Sequence, residues 1–183
     1  MSLVPVHIEN LSPYKPGKPI SHVKRELGLK HVIKLASNEN PSGPSPLALD
    51  AVKNALFDYN RYPDSAAFNL RNRLAIRFNV KVENVILGAG SEGIMSTIMR
   101  TFLRKKDEII AAKNSFIGFR VLANASGFKT NWISMDNYHH NLASMAKAIN
   151  DQTKIIYLAN PDNPTGTYFN VKKFDAFMSQ VPA

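Results

Sequence analysis

The chain has 183 residues, no cysteine, and 23 Lys and Arg against 14 Asp and Glu, a formal charge of +9. Length allows one domain, or one and a piece, at about 150 residues per domain. Absence of cysteine excludes disulfides, thiolate zinc sites, iron–sulfur ligation and cysteine nucleophiles, and suits a reducing compartment, here taken as the cytoplasm. No apolar run reaches the ~18 residues of a membrane span, and Pro5, Pro13, Pro16 and Pro19 interrupt the stretch where a secretory signal needs an apolar core. The basic residues fall in short clusters (Lys24-Arg25; Arg71, Arg73 and Arg77; Arg104-Lys105-Lys106) without interleaved aromatics. Nucleic acid and membrane are therefore not expected partners, whereas a small anionic ligand such as a phosphate is compatible with the charge.

Residues 1–46 are rich in Pro, Gly, Ser and Asn and predict an extended, irregular arm. A helical segment follows over 47–80. Leu47, Ala51, Ala55 and Tyr59 step by four, and Ala67, Leu70, Leu74 and Phe78 repeat the signal after a break at Arg61-Tyr62-Pro63-Asp64. From residue 81 to the end, strands and helices alternate. The pattern predicts a buried strand over Asn84–Leu87, a helix over Ser91–Arg104, a strand over Glu108–Ala112, and a helix over Phe116–Ser126 ended by Gly127. A weaker strand over Lys129–Ser134, a helix over Asn141–Asn150, a strand over Lys154–Ala159 and a helix over Asn170–Gln180 with Asn170 as its N-cap complete the series. Such alternation means crossover units: an α/β fold with a mostly parallel sheet and flanking helices. Parallel strands need both faces covered, and the sequence stops after a helix where the alternation calls for another strand. The expectation is the front part of a longer protein.

Two motifs carry chemistry. Gly88-Ala89-Gly90-Ser91-Glu92-Gly93 matches G-x-G-x-x-G ahead of a helix, the form of a dinucleotide fingerprint. It lies far from the start of the chain, and the next strand ends in Ala112-Lys113-Asn114, without the acidic residue a ribose would need. What remains is a phosphate cup: glycines admit a close ligand, and a helix N-terminus presents free N–H groups to an anion. The second motif is Asn160-Pro161-Asp162-Asn163-Pro164-Thr165-Gly166, at the end of a strand. With six positions specified at about 5% usage each, a chance match is of order a few in a million. Its prolines fix the backbone and Gly166 permits an unusual φ, so the Asn163 amide can be held rigidly as a donor to a ligand oxygen.

With these motifs the chain resembles the N-terminal half of the fold-type I aminotransferases that use pyridoxal 5′-phosphate, and within them the histidinol-phosphate branch. The matching segments are Asn10-Leu11-Ser12-Pro13-Tyr14, Leu35 to Pro44, Arg61-Tyr62-Pro63-Asp64, the Gly88–Glu92 cup and Asn160–Gly166. The resemblance implies that 81–183 is the front part of the large cofactor-binding domain. It implies that Ala89, Gly90, Ser91 and Glu92 cradle the cofactor phosphate, that Phe116 stacks on the pyridine ring, and that Asn163 bonds the phenolic oxygen. Tyr62 is implied to touch the neighbouring subunit's cofactor phosphate, Tyr14 to contact the substrate phosphate across a homodimer, and the segment at Asn38 to line the substrate side. The implied reaction transfers an amino group between glutamate/2-oxoglutarate and a phosphate-bearing amino substrate of histidine biosynthesis. A related activity on the same cofactor, aromatic transamination or threonine-phosphate decarboxylation, is the alternative, with a non-catalytic fragment and a dehydrogenase behind it.

The sequence departs from the family in places. Asn114-Ser115-Phe116 replaces the usual Pro-Thr-Tyr, keeping the ring and losing its hydroxyl, and Ala89, Glu92 and Gly93 replace Asn and Asp-Glu in the cup. The Schiff-base lysine, the aspartate that pairs with the pyridinium nitrogen and the arginine for the substrate carboxylate all belong to family segments beyond Ala183. No catalytic residue is therefore expected within this sequence, and the 183 residues alone are expected to be inactive. His139-His140 has no third ligand nearby, so no metal site is expected. His7, His22 and His31 are expected at the surface and Trp132 in the core. No G-x-S-x-G elbow is present for a Ser/His/Asp site.

Overall fold

The computed structural model describes residues 2–12 and 16–182. The chain divides into two compact units, one made of Met1–Tyr14 with Gly88–Ala183, the other of Lys15–Leu87.

The first unit is built on its most apolar strand. β1 (Glu108–Ala112) is buried along its whole length, as a central strand covered on both faces must be. It pairs in parallel with β2 (Lys129–Ile133) on one side and β3 (Thr153–Tyr157) on the other, giving the order β2-β1-β3. Alternation sends neighbouring side chains to opposite faces. Ile109 and Ala111 join Phe119 and Ala123 of α6 (Ile117–Ser126) and Met99 and Leu103 at the end of α5 (Gly90–Phe102). Ile110 faces the other way and packs with Met145 of α7 (Leu142–Lys147) and Phe177 of α8 (Val171–Met178). The result is three layers, helix–sheet–helix. The short α1 (Val6–Glu9) packs against α6.

Local chemistry sets the ends of these helices. Gly127 stops α6 in the left-handed conformation, φ +72°. Asn141 caps α7 by accepting from the Ser144 amide, and Asn170 caps α8 by accepting from Lys173, as its position predicted. α7 is shorter than its pattern suggested, because Asn150 turns away to bond Thr153 and Glu108.

The second unit contains α2 (Ile20–Leu27), α3 (Pro46–Ala55), a short 3₁₀ turn (Leu56–Asp58) and α4 (Phe68–Phe78). Asp64 accepts from the amides of Ala66 and Phe68 at 2.9 Å ahead of α4, and these bonds hold its carboxyl below the usual range. Two expectations change. The arm over 1–46 carries two helices, each entered from a proline, Pro5 and Pro19, that supplies the fixed φ of a helix start. The strand expected over Asn84–Leu87 is instead a 3₁₀ turn (Val82–Asn84) followed by extended chain. Its carbonyls at Val82 and Val85 are taken by the Arg71 guanidinium at 2.9 Å, and among the described residues no strand lies beside it to form a ladder.

Candidate cofactor site

In a parallel sheet, ligands bind beyond the carboxyl ends of two neighbouring strands whose connections leave to opposite faces. β1 and β3 are such a pair. The segment after β1 leads into α6 on the Ile109 face, and the segment after β3 leads into α8 on the Ile110 face. Two of the expected site residues of this unit, Phe116 and Asn163, lie on those two segments.

The cup stands at the start of α5. Gly90 has φ +69° and open space where a Cβ would be, whereas a Cβ on Gly88 would sit 2.7 Å from the Ile94 side chain. Gly88 therefore serves packing and Gly90 conformation, while a Cβ at Gly93 would make an ordinary 3.5 Å contact. Only two of the three glycines are demanded, unlike a dinucleotide fingerprint, which uses all three. Gly90 spends its own amide on the Gly88 carbonyl at 2.8 Å. Ala89 offers no side-chain cap, and the amides of Ser91 and Glu92 meet no acceptor among the described residues. Those N–H groups, with the Ser91 hydroxyl, are donors that the cup can offer an anion.

Phe116 immediately precedes α6 and is half-buried. A Cβ on Gly118 would lie 2.6 Å from its ring and would also strike the Glu92 carboxylate. Glu92 of the cup and the Phe116 ring thus meet over Gly118.

The segment after β3 is tied into a closed loop. Asn160 donates to the Phe169 carbonyl and accepts from its amide, both at 3.0 Å. The Gly166 amide donates to the Asp162 carbonyl at 2.8 Å, with Gly166 at φ +70°. The peptide bonds before Pro161 and Pro164 are cis. The half-buried Asn163 is carried on this frame.

Sequence reasoning gave Asp162 no role. Its side chain is completely buried. One carboxylate oxygen accepts from Ser115 Oγ and lies 3.1 Å from His140 Nε2; the other accepts from Thr165 Oγ1 at 2.9 Å. His140 is itself 2% exposed, while His139 beside it lies at the surface. Serine, histidine and aspartate thus come together, but with the carboxylate in the middle. No imidazole addresses Ser115 Oγ, so the group is not a nucleophilic triad. Nearby, Tyr157 stacks on Phe119 with ring centroids 3.7 Å apart, and burial, then the charge of Asp162, pushes its phenol above the usual value.

The remaining expected residues lie elsewhere. Asn38 and Tyr62 belong to the second unit, where both are exposed on irregular segments. Tyr14 lies outside the described residues. His7, His22 and His31 are exposed, and Trp132 is half-buried against the Ile109 core with the Arg120 guanidinium 5.0 Å from its ring.

Comparison with known proteins agrees with this geometry. The profile of the family "Aminotransferase class I and II" matches residues 30–182. A histidinol-phosphate aminotransferase from Anaeromyxobacter sp. is 42% identical over 183 residues, covering 100% of this chain and 50% of that protein. One from Caldicellulosiruptor saccharolyticus is 44% identical over 176 residues, covering 96% of this chain and 49% of its own length. The chain therefore spans about half the length of these relatives. The crystal structure of histidinol-phosphate aminotransferase from Sinorhizobium meliloti in complex with pyridoxal-5′-phosphate superposes with TM-score 0.84 and 23% identity, covering 100% of this chain and 48% of that one. Its fold is shared. With the family profile matching 30–182 and the cup and post-β3 loop in place, the chain belongs to the class I and II aminotransferases.

Proposed function

We propose that the complete protein is a pyridoxal-phosphate-dependent transaminase that moves an amino group between glutamate/2-oxoglutarate and histidinol phosphate. One observation carries this reading. The Glu92 carboxylate and the Phe116 ring both border Gly118, and the adjoining Ser115 donates to Asp162, beside Asn163. This neighbourhood at the switch point supports a reading in which the three segments together hold a phosphorylated pyridine. The names of the relatives, at 42% and 44% identity, point to the substrate.

The residues present fit the cofactor. Ser91 and Glu92 offer unpartnered amides to its phosphate, and the dipole of the 13-residue α5 favours that charge. Phe116 supplies a flat apolar face that excludes water from one side of the ring. Asn163 supplies an amide donor for the phenolic oxygen. When bound, pyridoxal phosphate supplies an electron sink for the carbanion formed at the substrate Cα. The chain's part is to bind, orient and desolvate; the lysine that moves the proton is assigned to the segments after Ala183, so the 183 residues alone are silent in catalysis.

The reading also takes the protein to be a cytoplasmic homodimer. Its support is the exposure of Phe57, Tyr59 and Tyr62, aromatic rings that a partner subunit would cover. In that dimer Tyr62 serves the partner's phosphate cup, with Tyr14 and the Asn38 segment on the substrate side.

The test is intact-mass measurement of the complete protein after incubation with pyridoxal phosphate and borohydride reduction, followed by substrate profiling. A single covalent adduct on a chain longer than the 183 residues here, with histidinol phosphate preferred over aromatic amino acids, is expected. No adduct would remove the cofactor. An adduct with aromatic substrates or threonine phosphate preferred would move the assignment to a related activity.

A further inference from the structure

The buried carboxylate of Asp162 is a group that the proposed chemistry does not use. Among the described residues, its bond with Ser115 joins the segment after β1 to the loop after β3, side chain to side chain. We propose that Asp162 is a positioning residue. On the reading that the crevice takes pyridoxal phosphate, it fixes the Phe116 ring and the Asn163 amide in the mutual orientation that the cofactor requires.

The argument starts from what a buried carboxylate demands. It has no donor of its own and up to four lone-pair sites, so its partners must converge on it. Here they come from three separate parts of the chain. Ser115, next to Phe116, donates from the segment after β1. Thr165, two residues past Asn163, donates to the second oxygen at 2.9 Å. His140, in the segment between β2 and α7, approaches the first oxygen at 3.1 Å. Because Asp162 accepts, the imidazole hydrogen at this contact sits on Nε2. His140 Nδ1 is then left buried without a partner among the described residues, a cost accepted only where the other side of the ring is strongly engaged. The Phe169 ring meets the imidazole edge-on, with centroids 6.0 Å apart, and holds it in place.

The junction extends outward. Thr165 Oγ1 lies 2.8 Å from Thr167 Oγ1, which donates to the Tyr138 carbonyl at 2.8 Å. Asp162 also uses its backbone, donating to the Thr167 carbonyl and accepting from Gly166, each at 2.8 Å. Its main chain therefore shapes the loop that carries Asn163, while its side chain reaches the loop that carries Phe116. Networks of this kind fix the groups that touch a ligand, and losing one member commonly costs about tenfold or more in affinity or activity.

An amide can replace this carboxylate. In Asp162→Asn, with the amide oxygen toward Ser115 and His140, the new –NH₂ would donate to Thr165 Oγ1, which can turn its own hydrogen to Thr167, and only the long 3.4 Å bond from the Thr165 amide would be lost. Alanine can do neither.

The test compares Asp162→Ala, Asp162→Asn and Ser115→Ala in the complete protein, by hydrogen exchange without cofactor and by pyridoxal-phosphate titration with visible circular dichroism. Expected for Asp162→Ala is faster exchange across both 113–118 and 160–167. The dissociation constant for pyridoxal phosphate should rise on the order of tenfold, with a smaller visible dichroic band per bound cofactor. Asp162→Asn should restore most of each, short of what the lost Thr165 amide bond contributes. Ser115→Ala deletes one hydroxyl, so it tests the link even where Asp162→Ala fails to fold, and it should loosen 113–118 and weaken the dichroic band. Faster exchange confined to 160–167 in Asp162→Ala, or an unchanged 113–118 and an unchanged band in Ser115→Ala, would overturn the proposal. Failure of the unmodified protein to take up pyridoxal phosphate would strike the cofactor reading alone, and the exchange measurements, which need no cofactor, would still decide the link.

Discussion

Gly118 lies against Phe116 so closely that a Cβ on it would come within 2.6 Å of the ring. The same Cβ would strike Glu92 at the entrance of the phosphate cup. Glycine at this position, the second residue of α6, thus answers a steric constraint that only a shift of two side-chain ends would relieve. It is not a backbone one, since its φ is outside the left-handed region.

Gly118→Ala should separate stability from ligand binding. Alanine gains about 1 kcal/mol of helix propensity over glycine. That gain offsets part of the cost of moving Phe116 and Glu92, so the melting temperature is expected to change by only a few degrees. Binding of pyridoxal phosphate, measured by titration of the complete protein, is expected to weaken on the order of tenfold, about 1.4 kcal/mol. A large fall in melting temperature with unchanged affinity would contradict the role given to this glycine.

Ile110 gives a second prediction, on the sheet rather than the site. It is fully buried between β1 and the α7–α8 layer, packed with Met145 and Phe177. Ile110→Ala truncates a close-packed side chain, and the expected loss is about 2–5 kcal/mol of unfolding free energy. Ile110→Val should cost roughly 0.5–1.5 kcal/mol. Urea unfolding of both variants checks the ratio; equal effects would show that the site relaxes without leaving a cavity.

The parts of the fold that could be read from the sequence are those governed by local periodicity. β1 was legible to the residue, because Ile109–Ala112 is a short apolar run entered from Glu108 and bounded by polar positions, and the caps at Asn170 and Gly127 follow from side-chain and backbone rules that need no tertiary context. Asn84–Leu87 was misread because Val-Ile-Leu looks like a strand wherever it stands, while a strand exists only beside a partner. The start of α5 at Gly90 and the turn that carries Asn163 were legible as local structure, from a glycine ahead of an apolar period and from prolines at a strand end. Asp162 and His140 were not. A buried Asp–His contact joins residues 22 apart, and nothing in local spacing marks which histidine of His139-His140 turns inward. The nearest signal was a charged residue inside a proline-rich loop at a strand end, where a buried charge must find partners.

The acid limb of stability should report the pair at the start of β1. Glu108 and Lys129 are directly opposite in the parallel register, and the hydrogen bond from Lys129, then that from Asn150, hold the Glu108 carboxyl below its ordinary value. A carboxyl lowered in the folded state binds fewer protons there than in the unfolded chain. Its contribution is present above the unfolded value of about 4.3 and is lost as pH falls through the lower folded value. Glu108→Gln should therefore flatten the dependence of unfolding free energy on pH below about 4.3, with the remaining slope coming from other carboxyls. An unchanged slope in urea unfolding between pH 3 and 5 (roughly the window in which both states titrate) would show that the pair contributes nothing.

A last prediction concerns the helix end where α1 packs. Gly127 sits at φ +72° at the C-terminus of α6, and a Cβ there would come within 2.8 Å of the His7 ring on α1. Gly127→Ala meets two separate penalties. The left-handed backbone costs a non-glycine residue roughly 1–2 kcal/mol, and the His7 ring must move. His7→Ala removes the second penalty and leaves the first. In a double-mutant cycle followed by thermal unfolding, Gly127→Ala should therefore be less damaging in the His7→Ala background, with a coupling of about 0.5 kcal/mol or more, the lower bound for residues in contact. Strict additivity would mean that α1 leaves α6 without cost, and that all of the effect of Gly127→Ala is backbone strain.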